Sequence, residues 1–253
     1  RDGGSSLKKL VSKGMLDSAS ENLMEDINAA EIIIIATPVA QTKKILGSIY
    51  PYLRKNTVIT DVGSTKTNVM HDASEVLKEK SQQFIGSHPI AGSEKHGPNA
   101  AIPDLFENKD IVVTPHSKSP KEFITLIEKF WLSLGGKVSI MDPNLHDQIF
   151  STVSHLPHLL AFGLVNLINK KANKKQLLDF AASGFRDFSR IAASSPEVWR
   201  DISLGNKDAI LSDLQLYKQE IDAVINLIEG NDILKLDQYL AKASSTRTDW
   251  NES

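Results

Sequence analysis

The segment Ile32-Ile33-Ile34-Ile35-Ala36-Thr37-Pro38 indicates the kind of sheet around which this chain folds. Four consecutive isoleucines predict a strand buried on both faces, because a strand with one solvent-facing side would alternate apolar and polar residues. Similar apolar runs follow at 57–62, 83–88, 110–114 and 137–140, with amphipathic stretches typical of helices at about 40–54, 64–80 and 119–134. This order predicts a mostly parallel sheet with helices on its faces.

The sequence changes character near Asp142-Pro143. Eight of the ten prolines and ten of the fourteen glycines precede residue 144, and the rest of the chain has the pattern of helices. Asp142-Pro143 and Ser195-Pro196 each place a capping residue before a proline at the first helical position. We therefore expect two domains: an α/β domain over 1–142 and an all-α domain over 143–253.

The end of the chain predicts two further helices. One begins near Asp208 and ends at Gly230, since glycine commonly ends a helix. We expect Asn231 to cap a last helix that runs to about Ala243, and the polar tail from Ser244 to be loosely held. The first of these helices has apolar residues at spacings of 4, 3, 4, 3 and 4, which predicts helix–helix packing within the chain or with a second subunit. They are Ile210, Leu214, Tyr217, Ile221, Val224 and Ile228.

Composition excludes several classes of function. Lys+Arg (29) and Asp+Glu (31) nearly balance, giving a formal net charge of −2 and no basic surface for nucleic acid or an anionic membrane. The longest aliphatic run, Ile32–Ala36, is too short to span a bilayer, and we expect no signal segment from the first residues of the sequence. The chain has no cysteine, which excludes disulfides and thiolate ligands. We expect a cytoplasmic protein that binds neither nucleic acid nor membrane.

The carboxyl ends of the predicted parallel strands are where ligands bind in such sheets. These ends are residues 36–38, residues 61–64 and Ser87-His88-Pro89. A neutral His88 could accept a proton near pH 7, although a histidine that caps a turn would look the same. Residues 63–67 lack the glycine that a P-loop requires. They fit either a turn whose amides and Ser64 hydroxyl face a ligand or a helix capped by Ser64.

Two histidines lie on one predicted helix face. His155 and His158 are three residues apart, and Pro157 between them predicts a kink. They could form one wall of a cleft, or they could be core histidines that bond to the backbone. A metal site would add His146, but no carboxylate or cysteine stands at a suitable spacing, so we predict none.

The arginines are concentrated in one segment. The chain has six, and Arg186, Arg190 and Arg200 lie within fifteen residues, whereas lysine provides most other positive charge. Arginine favours planar, bidentate binding of carboxylate or phosphate. Asp187 and Asp201 offer the alternative that these arginines form internal ion pairs.

Seven segments together resemble the prephenate/arogenate dehydrogenase family of tyrosine biosynthesis, in family order over about residues 7–215. They are 36–38, 61–66, 86–94, 145–147, 154–158, 184–192 and 196–201. The resemblance implies a Rossmann-type domain, then a helical domain that forms a homodimer. It also implies oxidative decarboxylation of prephenate to 4-hydroxyphenylpyruvate with NAD, or NADP as the alternative.

The resemblance also implies roles for individual residues. His88 would be the catalytic histidine, bonded to the ring hydroxyl of the substrate, with Ser64 beside it near the nicotinamide. Arg190 would bind a substrate carboxylate. The other residues that line or support the substrate cleft would be Ser93, Glu94, His146, His155, His158 and Trp199. The cofactor-binding residues would be Thr37, Pro38, Ser64 and Lys66.

One family feature is missing from the sequence. It contains no Gly-x-Gly-x-x-Gly, so we expect the Rossmann sheet to be N-terminally incomplete, without its first strand and glycine-rich loop. The alternatives are an arogenate or dual-substrate cyclohexadienyl dehydrogenase, and an inactive truncated dimerisation module. His88, Ser64 and Arg190 are all present, which argues against the inactive module.

Overall fold

The computed structural model describes residues 8, 10–20, 22–92 and 101–250. The chain divides into two compact units, Arg1–Lys207 and Asp208–Ser253. The described part of the first unit contains a five-stranded sheet, followed by helices. The strands are β1 (Ile32–Ile35), β2 (Val58–Asp61), β3 (Phe84–Pro89), β4 (Asp110–Pro115) and β5 (Lys137–Ile140).

The strands lie in the order β1-β2-β3-β4-β5. Three of the four pairings are parallel, as predicted, and β3 with β4 is antiparallel. The described parts of the connection between these two strands, 90–92 and 101–109, contain turns and irregular chain. An antiparallel return needs no crossover helix, whereas a parallel one does.

Helices cover both faces of the sheet. They are α1 (Leu23–Ala29), α2 (Thr42–Ile49), α3 (Thr67–Leu77) and α4 (Lys121–Ser133). The first three pack against one face around Phe84, and α4 packs against the other face, where Trp131 and Ile85 lie. Both faces of β2 and β3 are therefore fully buried.

The prediction for β1 was wrong on one point. Its residues were expected to be buried on both faces, but Ile34 is 40% exposed. In the described sheet β1 is the last strand, and its one described neighbour is β2. No described element covers the outer side of Ile34 in the way that helices cover β2.

The helical region of the first unit begins at the predicted place. Asp142 caps α5 (Pro143–Phe150) by accepting hydrogen bonds from the main-chain nitrogens of Asn144 and Leu145, at 2.8 and 3.3 Å. One π-helical turn, Ser151–His155, then leads into α6 (Leu156–Asn169). The predicted irregularity near Pro157 is therefore a widened turn just before the proline.

The helical stretch Pro143–Asn169 is long and apolar enough, by length and composition only, to cross a membrane. A core helix of a soluble protein passes the same test. Only 17% of the most apolar 18-residue stretch within it is buried, and Val153 is 65% exposed. This stretch therefore presents an uncovered apolar face. The expectation that the protein binds no membrane stays a prediction.

Shorter helices complete the first unit: α7 (Lys174–Asp179), α8 (Ser183–Ser189) with a 3-10 turn at Arg190–Ala193, and α9 (Pro196–Gly205). The start of α9 was predicted correctly. However, the Ser195 side chain makes no capping hydrogen bond. Pro196 has no N–H to be satisfied and its fixed φ suits the first helical position, so this helix begins without that bond.

The second unit consists of α10 (Lys207–Glu229) and α11 (Ile233–Asp249). Two predictions here were wrong. Asp232, not Asn231, caps α11, because Asn231 takes a left-handed conformation (φ 49°) after the helix end. The predicted loose tail is helical as far as Asp249, and the Thr246 and Thr248 hydroxyls bond back to carbonyls four residues earlier.

Candidate active site

The carboxyl end of β2 is organised by Asp61. One carboxylate oxygen accepts hydrogen bonds from the Gly63 main-chain nitrogen (2.9 Å) and the Lys66 ammonium, and the other accepts from the Ser87 main-chain nitrogen (3.1 Å). A Cβ on Gly63 would lie 2.5 Å from Val39 Cγ1, so this turn needs glycine. Asp61 therefore fixes the turn that carries Ser64 against β3.

Lys66 is fully buried and its charge is used within the protein. Burial lowers the pKa of Lys66, and the Asp61 carboxylate opposes that shift. Lys66 was predicted to bind the cofactor, but in this structure its ammonium group is paired with Asp61. In this geometry Lys66 stabilises the turn around Ser64.

Asp147 connects the helical region to the same turn. Its Oδ1 accepts hydrogen bonds from the Lys66 main-chain nitrogen and from His146 Nδ1, and its Oδ2 accepts from the Thr67 main-chain nitrogen, all at 2.8 Å. The two main-chain donors lie at the start of α3, where the helix dipole favours an anion. Burial alone would raise the pKa of Asp147, but the hydrogen bonds outweigh it and hold that pKa below its ordinary value.

His88 lies at the end of β3 and is hydrogen-bonded to a second histidine. Its Nδ1 is 2.8 Å from His146 Nε2, and the Phe150 ring packs against both imidazoles with centroid distances of 4.8 and 4.5 Å. Burial, reinforced by the positive charge of Lys66, holds the pKa of His88 well below its ordinary range. Burial also lowers the pKa of His146. Both rings are therefore neutral at pH 7.

A cavity of about 560 Å³ opens beside His88. Ser64 and His88 line it on the sheet side, and His158, Arg190 and Trp199 line it on the helical side. Arg190 is the only permanently charged side chain among the described residues that line this cavity. The site thus pairs a neutral imidazole with a guanidinium across one space.

The two histidines of 154–158 have different environments. His158 lines the cavity and stacks on Trp199, and burial lowers its pKa. His155 does not line it; the ring is buried, with Nδ1 3.1 Å from the Asn206 side-chain nitrogen. Burial lowers the pKa of His155 to about 4. The cleft-wall interpretation therefore describes His158, and the core interpretation describes His155.

Asn206 and Asp147 were missed as site-supporting residues. The Asn206 amide also donates to the Asp147 carbonyl at 2.7 Å, so it links two buried groups behind the cavity. A polar residue just after a helix end has no feature in sequence that reveals such partners. In the sequence, Asp147 is distinguished only as the neighbour of His146 within residues 145–147.

The remaining predicted residues lie away from the cavity or outside the described chain. Thr37 is exposed and Pro38 half-buried at the end of β1, and neither lines the cavity. Ser93 and Glu94 lie outside the described residues. Arg200 forms an ion pair with Asp201 through Nε and Nη2, at 2.8 and 2.6 Å, which is the internal-ion-pair alternative for this arginine.

Comparisons with known proteins agree with the resemblance. Residues 4–140 match the model of the prephenate dehydrogenase nucleotide-binding domain, and residues 142–242 match that of the prephenate dehydrogenase dimerization domain. Prephenate dehydrogenase of Bacillus subtilis is 38% identical over 236 residues, which are 92% of this chain and 63% of that protein. Cyclohexadienyl dehydrogenase of Zymomonas mobilis is 29% identical over 218 residues, covering 85% of this chain and 74% of that protein.

Solved structures show the same similarity. Prephenate dehydrogenase from Aquifex aeolicus, in complex with hydroxyphenyl propionate and NAD+, superposes with a TM-score of 0.90 at 31% identity over 98% of this chain and 87% of that one. Arogenate dehydrogenase from Synechocystis superposes with a TM-score of 0.84 at 30% identity, over 99% of this chain and 89% of that one. The chain spans 63% of the length of the Bacillus relative.

Proposed function

Because the chain belongs to the prephenate dehydrogenase family, we propose that it catalyses the NAD+-dependent oxidative decarboxylation of prephenate to 4-hydroxyphenylpyruvate. One observation carries the proposal: the neutral imidazole of His88 and the guanidinium of Arg190 line the same cavity. Prephenate has a ring hydroxyl that must lose its proton and two carboxylates that need a cation.

His88 is the proposed proton acceptor. As the ring carbon that bears the hydroxyl is oxidised and the ring carboxylate leaves as CO2, the hydroxyl oxygen becomes more acidic, and a neutral imidazole can take its proton. The low pKa of His88 keeps the ring unprotonated at pH 7. The cavity has Ser64 next to this base, where its hydroxyl can bond to the same ring oxygen.

Arg190 is the proposed carboxylate ligand. A guanidinium binds a carboxylate through two parallel charge-assisted hydrogen bonds. His158 and Trp199 provide a flat aromatic surface next to it, suited to the planar product ring. Together these residues would bind the substrate with its hydroxyl towards β3.

Arogenate is the second candidate substrate, alone or in a dual-substrate cyclohexadienyl dehydrogenase. Its ammonium group calls for a carboxylate, and the described cavity lining has only the cation Arg190 as a permanently charged group. This composition favours prephenate. Glu94 follows the cavity-lining Gly92 by two residues in the sequence. Its carboxylate is the group that would favour arogenate.

We propose NAD as the cofactor, with NADP as the alternative. Thr37 and Pro38 at the end of β1 and Ser64 after β2 lie at the carboxyl ends of parallel strands, where dinucleotides bind. Exposed Thr37 and the cavity-facing Ser64 fit the nicotinamide side, and Lys66 would act by holding the Ser64 turn. The nicotinamide, when bound, accepts the hydride; the protein residues orient the substrate and remove its hydroxyl proton.

We also propose a cytoplasmic homodimer. The match of 142–242 to a dimerization domain supports the assembly, as do uncovered apolar side chains such as Phe180 (81% exposed) and Leu204 (68%). The proposed domain boundary remains at 142/143, where Asp142 caps the first helix of the helical domain.

The experiment that tests the function has a catalytic and a binding part. The protein is mixed with prephenate and NAD+, and reduced nicotinamide and CO2 are measured together; equal amounts of both are expected. Arogenate and NADP+ are assayed in the same way. Separately, calorimetric titration with hydroxyphenyl propionate tests the cavity without any cofactor. Absence of both turnover and binding would contradict the proposal.

A further inference from the structure

We propose that Asp147 is a positioning residue that acts through His146 to set the tautomer of His88, leaving His88 Nε2 as a proton acceptor on the cavity side. The inference rests on the proposed function only in one respect, namely that His88 Nε2 accepts the hydroxyl proton of the substrate. It is carried by a continuous chain of hydrogen bonds, from Asp147 Oδ1 to His146 Nδ1 and from His146 Nε2 to His88 Nδ1, each 2.8 Å long.

The chain of bonds has a defined direction because one end can only accept. An ionised carboxylate has no proton to donate. Asp147 is ionised, since it accepts two main-chain N–H groups at the start of α3 in addition to the imidazole bond. The proton between Asp147 and His146 therefore resides on His146 Nδ1.

The position of that proton determines the next one. His146 is a neutral imidazole, so with hydrogen on Nδ1 its Nε2 has only a lone pair. His88 Nδ1 must then donate the hydrogen of the second bond. Because His88 is neutral as well, its Nε2 carries no hydrogen and is the acceptor in a side chain that lines the cavity.

The opposite direction would disable the site. If His146 donated from Nε2, His88 would accept at Nδ1 and carry its hydrogen on Nε2. That nitrogen could then donate to the substrate hydroxyl but could not accept its proton. An isolated neutral imidazole favours hydrogen on Nε2, so the required tautomer needs support from the protein. Asp147 supplies this support through two successive hydrogen bonds, by way of His146. The Phe150 ring holds both imidazoles in place.

The Asp147 carboxylate also holds the turn that carries Ser64. Its bonds to the Lys66 and Thr67 main-chain nitrogens hold the segment that follows Ser64. Asp147 therefore couples the orientation of Ser64 to the tautomer of His88. A purely structural clamp would need only these two main-chain bonds and not the bond to His146.

The test is the nitrogen NMR spectrum of histidine side chains in the whole protein, labelled with 15N and free of substrate and cofactor. The His88 signals are identified by their loss in His88→Asn. We expect protonated Nδ1 and bare Nε2 in the wild-type protein at pH 7.5. Hydrogen on His88 Nε2 in the wild-type spectrum would overturn the inference without recourse to any variant.

Two variants interrupt the chain at different points. Asp147→Ala removes the acceptor of His146 Nδ1, and His146→Phe removes the intermediate while leaving the main-chain bonds of Asp147 intact. Both should move the hydrogen of His88 to Nε2. Asn206→Ala is the matched control, because it removes a buried bond to the Asp147 carbonyl and leaves the carboxylate untouched. Its His88 tautomer should equal that of the wild type, and an unchanged tautomer in His146→Phe would contradict the proposal.

Kinetics separate this inference from the proposed function. With prephenate, His146→Phe should lower kcat by about tenfold or more, because His88 loses the hydrogen-bond partner that sets its tautomer. The affinity for hydroxyphenyl propionate should change less than about twofold, because the cavity wall is intact. If the NMR result is as expected but the wild type neither turns over prephenate nor binds hydroxyphenyl propionate, the proposed function fails and the hydrogen-bond chain stands.

Discussion

The imidazole of His158 lies almost flat on the indole of Trp199, with ring centroids 3.8 Å apart and 19° between their planes. His158 Nδ1 is 2.9 Å from the Ser154 carbonyl and donates to it, because a carbonyl can only accept. The second ring nitrogen is thereby left as an acceptor. Both rings line the cavity beside Arg190, so this stacked pair forms a rigid aromatic wall.

Replacement of Trp199 by leucine should weaken binding of the aromatic ligand. The stack and its contact with a ligand ring are together worth about 0.5–1.5 kcal/mol, or roughly two- to tenfold in Kd for hydroxyphenyl propionate. Trp199→Phe should recover most of the loss. Trp250→Leu, at an exposed tryptophan in the second unit, is the control and should leave Kd unchanged. Equal Kd values for Trp199→Leu and the wild type would exclude this wall from the ligand site.

Arg190→Lys should raise the KM for prephenate about ten- to a hundredfold. Lysine retains the charge but cannot make two parallel bonds, and a hydrogen bond to a charged group contributes roughly 1.5–3 kcal/mol. The KM for the cofactor should not change. If Arg190 instead braces the helical region, the variant would show a lower Tm with an unaltered KM, so both quantities are measured on one preparation.

His88→Asn should lower kcat by about 10²- to 10⁴-fold, the usual contribution of general acid–base catalysis. KM should change little, since the lost interaction belongs mainly to the transition state. The wild-type rate should be nearly constant around pH 7 and fall only well below pH 6.5, because protonation of the low-pKa His88 inactivates the base. A variant with near wild-type turnover would remove His88 from the mechanism.

Stability should decrease as the pH falls from about 6.5 towards 4. His155 has a pKa of about 4 in the folded protein against an ordinary value of 6.5, so the unfolded chain takes up a proton first. The free energy of unfolding is therefore highest above pH 6.5 and is lost progressively through this range. Denaturant titrations at several pH values measure the slope. His155→Gln should flatten it, and an equally steep slope in that variant would assign the effect to other groups.

Ile221→Glu should dissociate the proposed dimer. Ile221 is 46% exposed on α10, within the apolar seam predicted from the sequence, and a glutamate there would be buried without a partner on association. Light scattering should show a monomer or aggregate. Gln219→Glu on the other side of the same helix should remain dimeric. A dimeric, well-folded Ile221→Glu protein would place the subunit contact elsewhere.

Local patterns predicted the sheet and the position of the cavity. The apolar runs at 57–62 and 83–88 are typical of buried strands, and the carboxyl ends of such strands are adjacent in a parallel sheet. His88 and Ser64 therefore lie on one cavity, as their strand positions indicated. Arg200 and Arg190 could not be distinguished in this way, because either could bond to a nearby aspartate or to a ligand.

The supporting residues could not be predicted because their partners are distant in sequence. Asp147 bonds to main-chain nitrogens 80 and 81 residues earlier, and Asn206 reaches a carbonyl 59 residues earlier. Main-chain partners leave no trace in residue identity. The antiparallel direction of β4 was equally hidden, since strand composition does not encode pairing direction.

The widened turn at Ser151–His155 has a consequence for how sequence length may vary in this protein. A regular α-helix rotates by about 100° per residue, and a π-helical turn holds one residue more than its neighbours. The π-helical turn completes nearly the same rotation with that extra residue, so deleting one of these five residues would restore a regular α-helix and leave His158 close to its present direction relative to Asp147. Related sequences can thus lose one residue here more readily than in the regular helix on either side, where a deletion would turn His158 by about 100°.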